Sequence, residues 1–301
     1  MGAPHAVRRM HPASLSVMSS LVHWVATPPP LRQPVLLVAL EGFVDAGAVA
    51  ASAGSFLRHR WKSHVIARFD RDALIDYRAR RPTAVVDSGR LRRIEWPDIE
   101  VCAAQINGPR DIVLLLGPEP DMQWMAFGEA LVELCRGLGV ETVIGLGAYP
   151  AASPHTRPVR ILRAGNLIAD DVVASAGDIT GYTGPVGAGT VLQDAFGGAG
   201  IPAVGLWAEV PHYIAGSPNP AGALSLVQMV AEALGTSVDT TELEAAAKAH
   251  NEQVDEAVAD HADAAEMIST LELIYDEGRH EEQLPSGEDI AAEIERFLRH
   301  Q

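Results

Sequence analysis

One stretch constrains this chain more than any other, the 41 residues from Thr183 to Ala223. Gly184 and Pro185 open an apolar run from Val186 to Phe196 with helical spacing. Gly197, Gly198 and Gly200 end it, because glycine takes the left-handed conformation of a helix C-terminus without strain. Ile201–Trp207 follows as a short apolar strand. Glu209, Val210, Pro211, His212 and Tyr213 are expected just past its C-terminal end. In an open α/β sheet, ligands sit beyond the strand C-termini. The stretch therefore places a candidate site but does not specify its chemistry.

Three further runs have the same character: Val35–Leu40, Ile112–Leu116 and Val140–Leu146. Each lacks the polar alternation of a half-exposed strand, so each must be covered on both faces. Helices are expected between them at Ala46–His59, Met122–Leu138 and Leu224–Leu234, the last ended by Gly235. This rhythm predicts an α/β fold, a three-layer sandwich with a mostly parallel sheet. His64–Phe69 reads as a strand and Val159–Arg163 as a further, antiparallel one. Leu91–Glu95 and Ile99–Gln105 read as a hairpin around Trp96-Pro97-Asp98. Asp76–Pro82, the most basic local run, reads as a solvated loop, and Ile168–Ser175 as short and helical.

Charge divides the chain. Residues 236–301 hold eighteen acidic and four basic side chains, net −14, and leave −2 for the rest of a −16 total. Such acidity argues against nucleic acid, whose phosphates need basic groups. No apolar run reaches the roughly 20 residues of a membrane span. Ala13–Trp24 is broken by serines and a histidine, unlike the apolar core of a signal peptide. Cys102 and Cys135 lack metal spacing and lie in apolar segments, as free thiols of a reducing cytoplasm do.

The expected plan is a flexible leader (1–32), an α/β body (33–235), an acidic helical extension (236–279), and a linker with a terminal helix at Asp289–Arg299 (280–301). In the extension, Leu243, Ala247, His250, Val254, Ala257, His261, Ala264, Ile268, Leu271 and Tyr275 recur at alternating four and three. That spacing is a heptad stripe on one long helix ended by Gly278. His250 and His261 stand about three turns apart on it, too far for a shared metal.

The chain has no G-x-S-x-G elbow, no H-E-x-x-H and no C-x-x-C, and neither metal nor cofactor is expected. The turn Glu41–Gly47 has too few glycines for a dinucleotide fingerprint. The polar residues expected at strand ends are Glu41, Asp45, His155, Arg157, Glu209, His212, Tyr213 and Asn219. A Glu/His/Arg group of this kind could act on a phosphate or glycosidic substrate. The favoured reading is that they cap helices, pair charges and line an interface, with Asp45 as a helix cap.

Three segments in order carry a family resemblance: E-G-F-V-D-A-G at 41–47, G-L-G-A-Y-P with P-H-T-R-P at 145–158, and G-P-V-G-A-G-T-V-L through S-P-N-P-A-G-A at 184–223. The chain resembles the PAC2 family, named for a proteasome assembly chaperone, in its actinobacterial form. The resemblance implies a phosphorylase/hydrolase-like topology and a homo-oligomer, a trimer. It also implies a non-enzymatic assembly, chaperone-like or scaffold protein with an unknown protein client. The alternative is a phosphorylase/hydrolase-like enzyme acting on a small nucleoside or phosphate-containing substrate. Some relatives end in a hydrophobic-Tyr-any tail that docks on the proteasome, whereas this chain ends Phe297-Leu298-Arg299-His300-Gln301.

Overall fold

The computed structural model describes residues 19–166, 173, 175–259 and 261–277. The strands are β1 (Val22–Trp24), β2 (Val35–Glu41), β3 (His64–Phe69), β4 (Thr83–Asp87), β5 (Arg90–Glu95), β6 (Glu100–Ala104), β7 (Ile112–Pro118), β8 (Thr142–Ala151), β9 (Ile161–Asn166), β10 (Gly177–Asp178) and β11 (Ala203–Pro211). The helices are α1 (Val49–Arg60), α2 (Arg71–Leu74), α3 (Trp124–Leu138), α4 (Ala188–Gly198), α5 (Pro220–Ala233), α6 (Thr241–Ala259) and α7 (Ala262–Asp276).

Nine strands form one sheet in the order β1-β3-β6-β7-β2-β8-β11-β9-β10. The four apolar runs are its centre, β7-β2-β8-β11, and they run parallel. Antiparallel strands flank them, with β6 on β7 and β9 on β11. The lack of polar alternation now has its cause. Leu36 and Val38 of β2 pack with Phe127 and Leu131 of α3 and Leu192 and Phe196 of α4. Val35, Leu37 and Ala39 pack with Val49 and Leu57 of α1 and Ala223 and Leu226 of α5. Each fully buried side chain of this size stabilises by about 1.5–3 kcal/mol, so both faces contribute.

Several expectations change. The hairpin around Trp96 does not form. β5 instead pairs with β4 in a separate two-stranded ribbon, and β6 enters the main sheet between β3 and β7. The reason is side-chain chemistry: Arg90, Arg92 and Arg93 cannot lie under a helix layer, whereas Val101, Cys102 and Ala103 can. The loop Ser88-Gly89 has φ of 52° and 75°, the paired left-handed residues of a tight hairpin turn. Part of the expected leader belongs to the sheet, since Val22–Trp24 pairs with Ala67–Phe69. Ser175 and Ala176 lie in a turn and a bend rather than a helix, and most of Ile168–Ser175 lies outside the described residues. So do Gly278, the 284–287 linker and the expected terminal helix.

The C-terminal extension is not one long helix. α6 ends at Ala259, and His261, extended at φ −129° and ψ 98°, is the N-cap of α7. His250 and His261 therefore do not share one helical face. The break lets α7 fold back on the body and bury Ile268 and Leu271, which a straight helix would carry away.

β11 is longer than expected. Glu209, Val210 and Pro211 pair with Tyr149, Pro150 and Ala151 of β8, so only His212 and Tyr213 lie beyond the strand, in a 3-10 turn. α1 starts three residues late because Gly47 and Ala48 take left-handed angles first.

Candidate functional site

The C-terminal ends of β8 and β11 face the N-terminus of α4. Three facing pairs run outward: Gly145 beside Gly205, Gly147 beside Trp207, and Tyr149 beside Glu209. The Trp207 indole lies over the glycines. A Cβ on Gly147 would be 2.7 Å from its Cδ1, and one on Gly205 would be 2.2 Å from its Cη2. Glu119, in the turn after β7, is buried. Its carboxylate accepts from Ala188 N at 2.9 Å and Phe43 N at 3.1 Å. One carboxylate therefore caps α4, where negative charge is favoured, and ties it to the loop after β2. Gln193 of α4 is buried, and its side-chain amide makes no hydrogen bond with the described residues while facing the same space.

The cavity left among Val44, Glu119, Gly187, Thr190, Gln193 and Trp207 holds about 40 Å³. A water needs roughly 10–15 Å³ of such volume, so the cavity admits a few waters. Small-molecule sites are typically about 300–1,000 Å³. The strand-end crevice, where this class of sheet holds ligands, is filled by the protein's own side chains.

At its outer edge the Tyr149 hydroxyl donates to Glu209 Oε1 at 3.1 Å. Burial pushes the Glu209 carboxyl up, opposed by the Tyr149 bond and the Arg160 charge. Burial and the neighbouring Glu209 push the Tyr149 phenol well above its ordinary value. The pair can hold or exchange a proton.

Asp45 sits on the opposite side of the strand ends and accepts from Ala50 N at 2.6 Å, in the first turn of α1. Burial raises its pKa to about 6, against the hydrogen bonds from Ala50 and Ala51 and with a smaller contribution from Glu41. A carboxyl with a raised pKa binds its proton more tightly when folded. Stability is therefore greatest below the ordinary aspartate value of about 3.9 and falls as pH rises through 6, by about 2–3 kcal/mol. Asp45→Asn keeps the acceptor and removes the buried charge. It is expected to raise stability at pH 7.5 by about 1–3 kcal/mol and to flatten the profile between pH 4 and 6.5. Urea melts at four pH values measure both, and a variant less stable at pH 7.5 would overturn the assignment.

The other sequence candidates do not converge on this cavity. Asn219 is buried and caps α5 by accepting from Gly222 N at 2.8 Å. Glu41 faces solvent, and its carbonyl accepts from Glu119 N at 2.7 Å. His155, His212 and Tyr213 do come together. The Tyr213 oxygen accepts from His155 N at 2.9 Å and lies 2.7 Å from His155 Nδ1. His155 Nε2 lies 3.0 Å from Asp255 of α6. The Tyr213 proton thus goes to Nδ1, and Nε2–H donates to Asp255. His212 packs edge-on against Tyr213 at 5.4 Å. Arg157 turns away to Asp276 and Glu272 of α7, at 2.7 Å and 3.1 Å. Sequence reading missed Glu119, Tyr149, Gln193 and Arg160. Gln193 carried a signal, a polar residue on the buried face of an otherwise apolar helix. Among the described residues no group of His, Cys, Asp and Glu is placed to hold a metal, and no helix is long and apolar enough to cross a membrane.

The PAC2 family model matches residues 39–258. The chain belongs to the PAC2 family. Among solved structures, a Corynebacterium glutamicum protein of unknown function matches with 31% identity and a TM-score of 0.80, covering 85% of this chain and 97% of that one. A Mycobacterium tuberculosis protein of unknown function matches with 30% identity and a TM-score of 0.81, over 91% and 96%. The proteasome-assembly chaperone homologue of Mycobacterium tuberculosis matches with 36% identity and a TM-score of 0.71, over 78% and 99%. No curated protein matches the sequence. This PAC2 chain shares with these relatives the mixed α/β fold built on the parallel strands described above.

Proposed function

We propose that this PAC2 protein is a non-enzymatic, chaperone-like assembly or scaffold protein whose ligand is another polypeptide. The observation that carries this reading is the filled crevice. With Trp207, Gln193 and Glu119 occupying the strand ends, about 40 Å³ remains, too little for a nucleoside or a sugar phosphate. The family, and the relative described as a proteasome-assembly chaperone homologue, support the same class. The client is a protein, and the α/β body assembles into a homotrimer. The acidic extension lies outside that contact, because its net −14 would repel identical copies.

Two measurements test the reading. Light scattering on the full chain is expected to give three times the 32.0 kDa chain mass, and a monomer refutes the trimer. Purified protein incubated with nucleosides, phosphoesters and sugar phosphates is expected to turn over none of them. Turnover that disappears in a folded Glu209→Gln variant would replace this reading with the phosphorylase/hydrolase-like one.

A further inference from the structure

The loop between β8 and β9 carries the basic groups that hold α7. Arg157 makes a two-pronged contact with Asp276, Nε to Oδ1 at 2.8 Å and Nη2 to Oδ2 at 2.7 Å. Its Nη1 donates to Glu272 at 3.1 Å, and the Thr156 hydroxyl donates to the same carboxylate oxygen. The Arg160 guanidinium lies 3.8 Å over the Tyr275 ring, and its Nη2 donates to the Tyr275 carbonyl at 3.0 Å. The Tyr275 hydroxyl donates to Pro158 O at 2.9 Å. These contacts present carboxylates four residues apart on one helix to a basic loop, the geometry of a helix-in-groove complex.

Two observations indicate that α7 is not the best occupant of this surface. First, it is weakly held. Only Ile268 and Leu271 are buried, whereas Leu273 and Ile274 are 64% and 36% exposed. A helix of 15 residues is marginal alone, and exposed ion pairs are individually weak. Second, Arg160 is half satisfied. Its Nη1 is buried and has no hydrogen-bond partner among the described residues, because a single carbonyl engages only Nη2. A carboxylate would take both nitrogens in the two-pronged geometry that guanidinium favours.

We infer that Thr156, Arg157 and Arg160 form a recognition surface for an acidic helical segment of a partner protein, and that α7 occupies it as an internal stand-in until displaced. The inference rests on the protein-binding reading above and names the partner's chemistry. A helical polypeptide fits better than a nucleic acid because the surface also takes an aromatic ring, Tyr275, stacked on Arg160 with its hydroxyl donating to Pro158 O, on a helix that buries Ile268 and Leu271.

A fluorescent peptide of residues 262–277 tests this on full-length protein. Glu272→Lys/Asp276→Lys loosens α7 from Arg157. The peptide is expected to bind that variant at least tenfold more tightly than the unaltered protein. Adding Arg157→Glu is expected to abolish binding, and adding Arg160→Lys, which keeps the charge but loses the fork, to weaken it severalfold. A scrambled peptide of equal charge is expected not to bind. Equal affinity for the unaltered and loosened proteins overturns the inference. So does no binding to a loosened variant that keeps the urea midpoint of the α/β body, or equal binding of the scrambled peptide or of a single-stranded oligonucleotide. These outcomes are independent of the turnover assay. A failed peptide experiment with no turnover removes only the stand-in, whereas turnover that Glu209→Gln abolishes removes the protein-binding reading itself.

Discussion

Asp111→Ala is expected to destabilise the fold by about 2–4 kcal/mol. Asp111 is fully buried at the start of β7. Its Oδ2 accepts from Arg32 N at 2.7 Å and Nε at 3.1 Å, and its Oδ1 accepts from Arg32 Nη2 at 2.7 Å and Ile106 N at 3.1 Å. Its backbone bonds both sides of the same junction, with Val35 N donating to Asp111 O at 3.0 Å and Asp111 N to Arg32 O at 2.9 Å. The carboxylate therefore locks the starts of β2 and β7, the two strands at the middle of the sheet. Burial alone would push it up, but the bonds from Arg32 and Ile106 outweigh that and hold it below the usual aspartate range. Its contribution is present above the ordinary value of about 3.9 and is lost as pH falls through the depressed one. Truncation leaves the Ile106 and Arg32 backbone N–H groups and a guanidinium without their acceptor. The urea midpoint at pH 7 is expected to fall by about 1–2 M, and Asp111→Asn, which keeps one acceptor oxygen, by less. An unchanged midpoint in Asp111→Ala would show that the junction is held elsewhere.

Gly117→Ala is expected to be comparably damaging for a different reason. Gly117 lies near the C-terminal end of β7 with φ of 126°. A Cβ there would be 2.2 Å from Asp98 O and 3.0 Å from Ile99 Cα. Both obstacles are backbone, so no rotamer change relieves them. Backbone strain of about 1–3 kcal/mol adds to overpacking of about 1–3 kcal/mol, giving about 2–6 kcal/mol together. The displacement would pass through Pro118 to Glu119 and withdraw the carboxylate that accepts from Ala188 and Phe43. Amide exchange at those two residues is expected to accelerate alongside the loss of thermal stability. Gly89→Ala is the control, since its φ is 75° but nothing lies within 4 Å of the added carbon. It should show the backbone cost alone, and equal losses at the two positions would mean that the approach of Asp98 is immaterial.

What the sequence determined by itself follows from short-range physics. A strand covered on both faces carries almost no polar residue, so the four central strands were legible as apolar runs and their parallel direction followed from the helices between them. Caps act within a few residues, so Asp45 could be read as a helix cap from the chain alone, whereas the cap that Asn219 makes on α5 came only with the structure. The glycine and proline punctuation of residues 183–223 carried both the helix-strand unit and the family resemblance. What only the tertiary structure decided depends on partners remote in the chain. Glu119 meets Ala188 from 69 residues away, and Arg157 meets Asp276 from 119. Neither pairing leaves a periodic trace. The heptad stripe marked covered positions such as Ala247, Ile268 and Leu271, but Ala257 and His261 on it are exposed, and it could not show the break at His261, because fold-back is set by Arg157 and Arg160 on a distant loop. The arginines of β5 excluded it from the layered sheet, yet its choice of β4 over β6 required knowing that β3 and β7 already flank β6. The volume of the strand-end crevice was the least legible quantity. Strand order locates the crevice, but whether it holds a ligand or the protein's own atoms depends on where the Trp207 ring lies over Gly147 and Gly205 and where the Gln193 amide points.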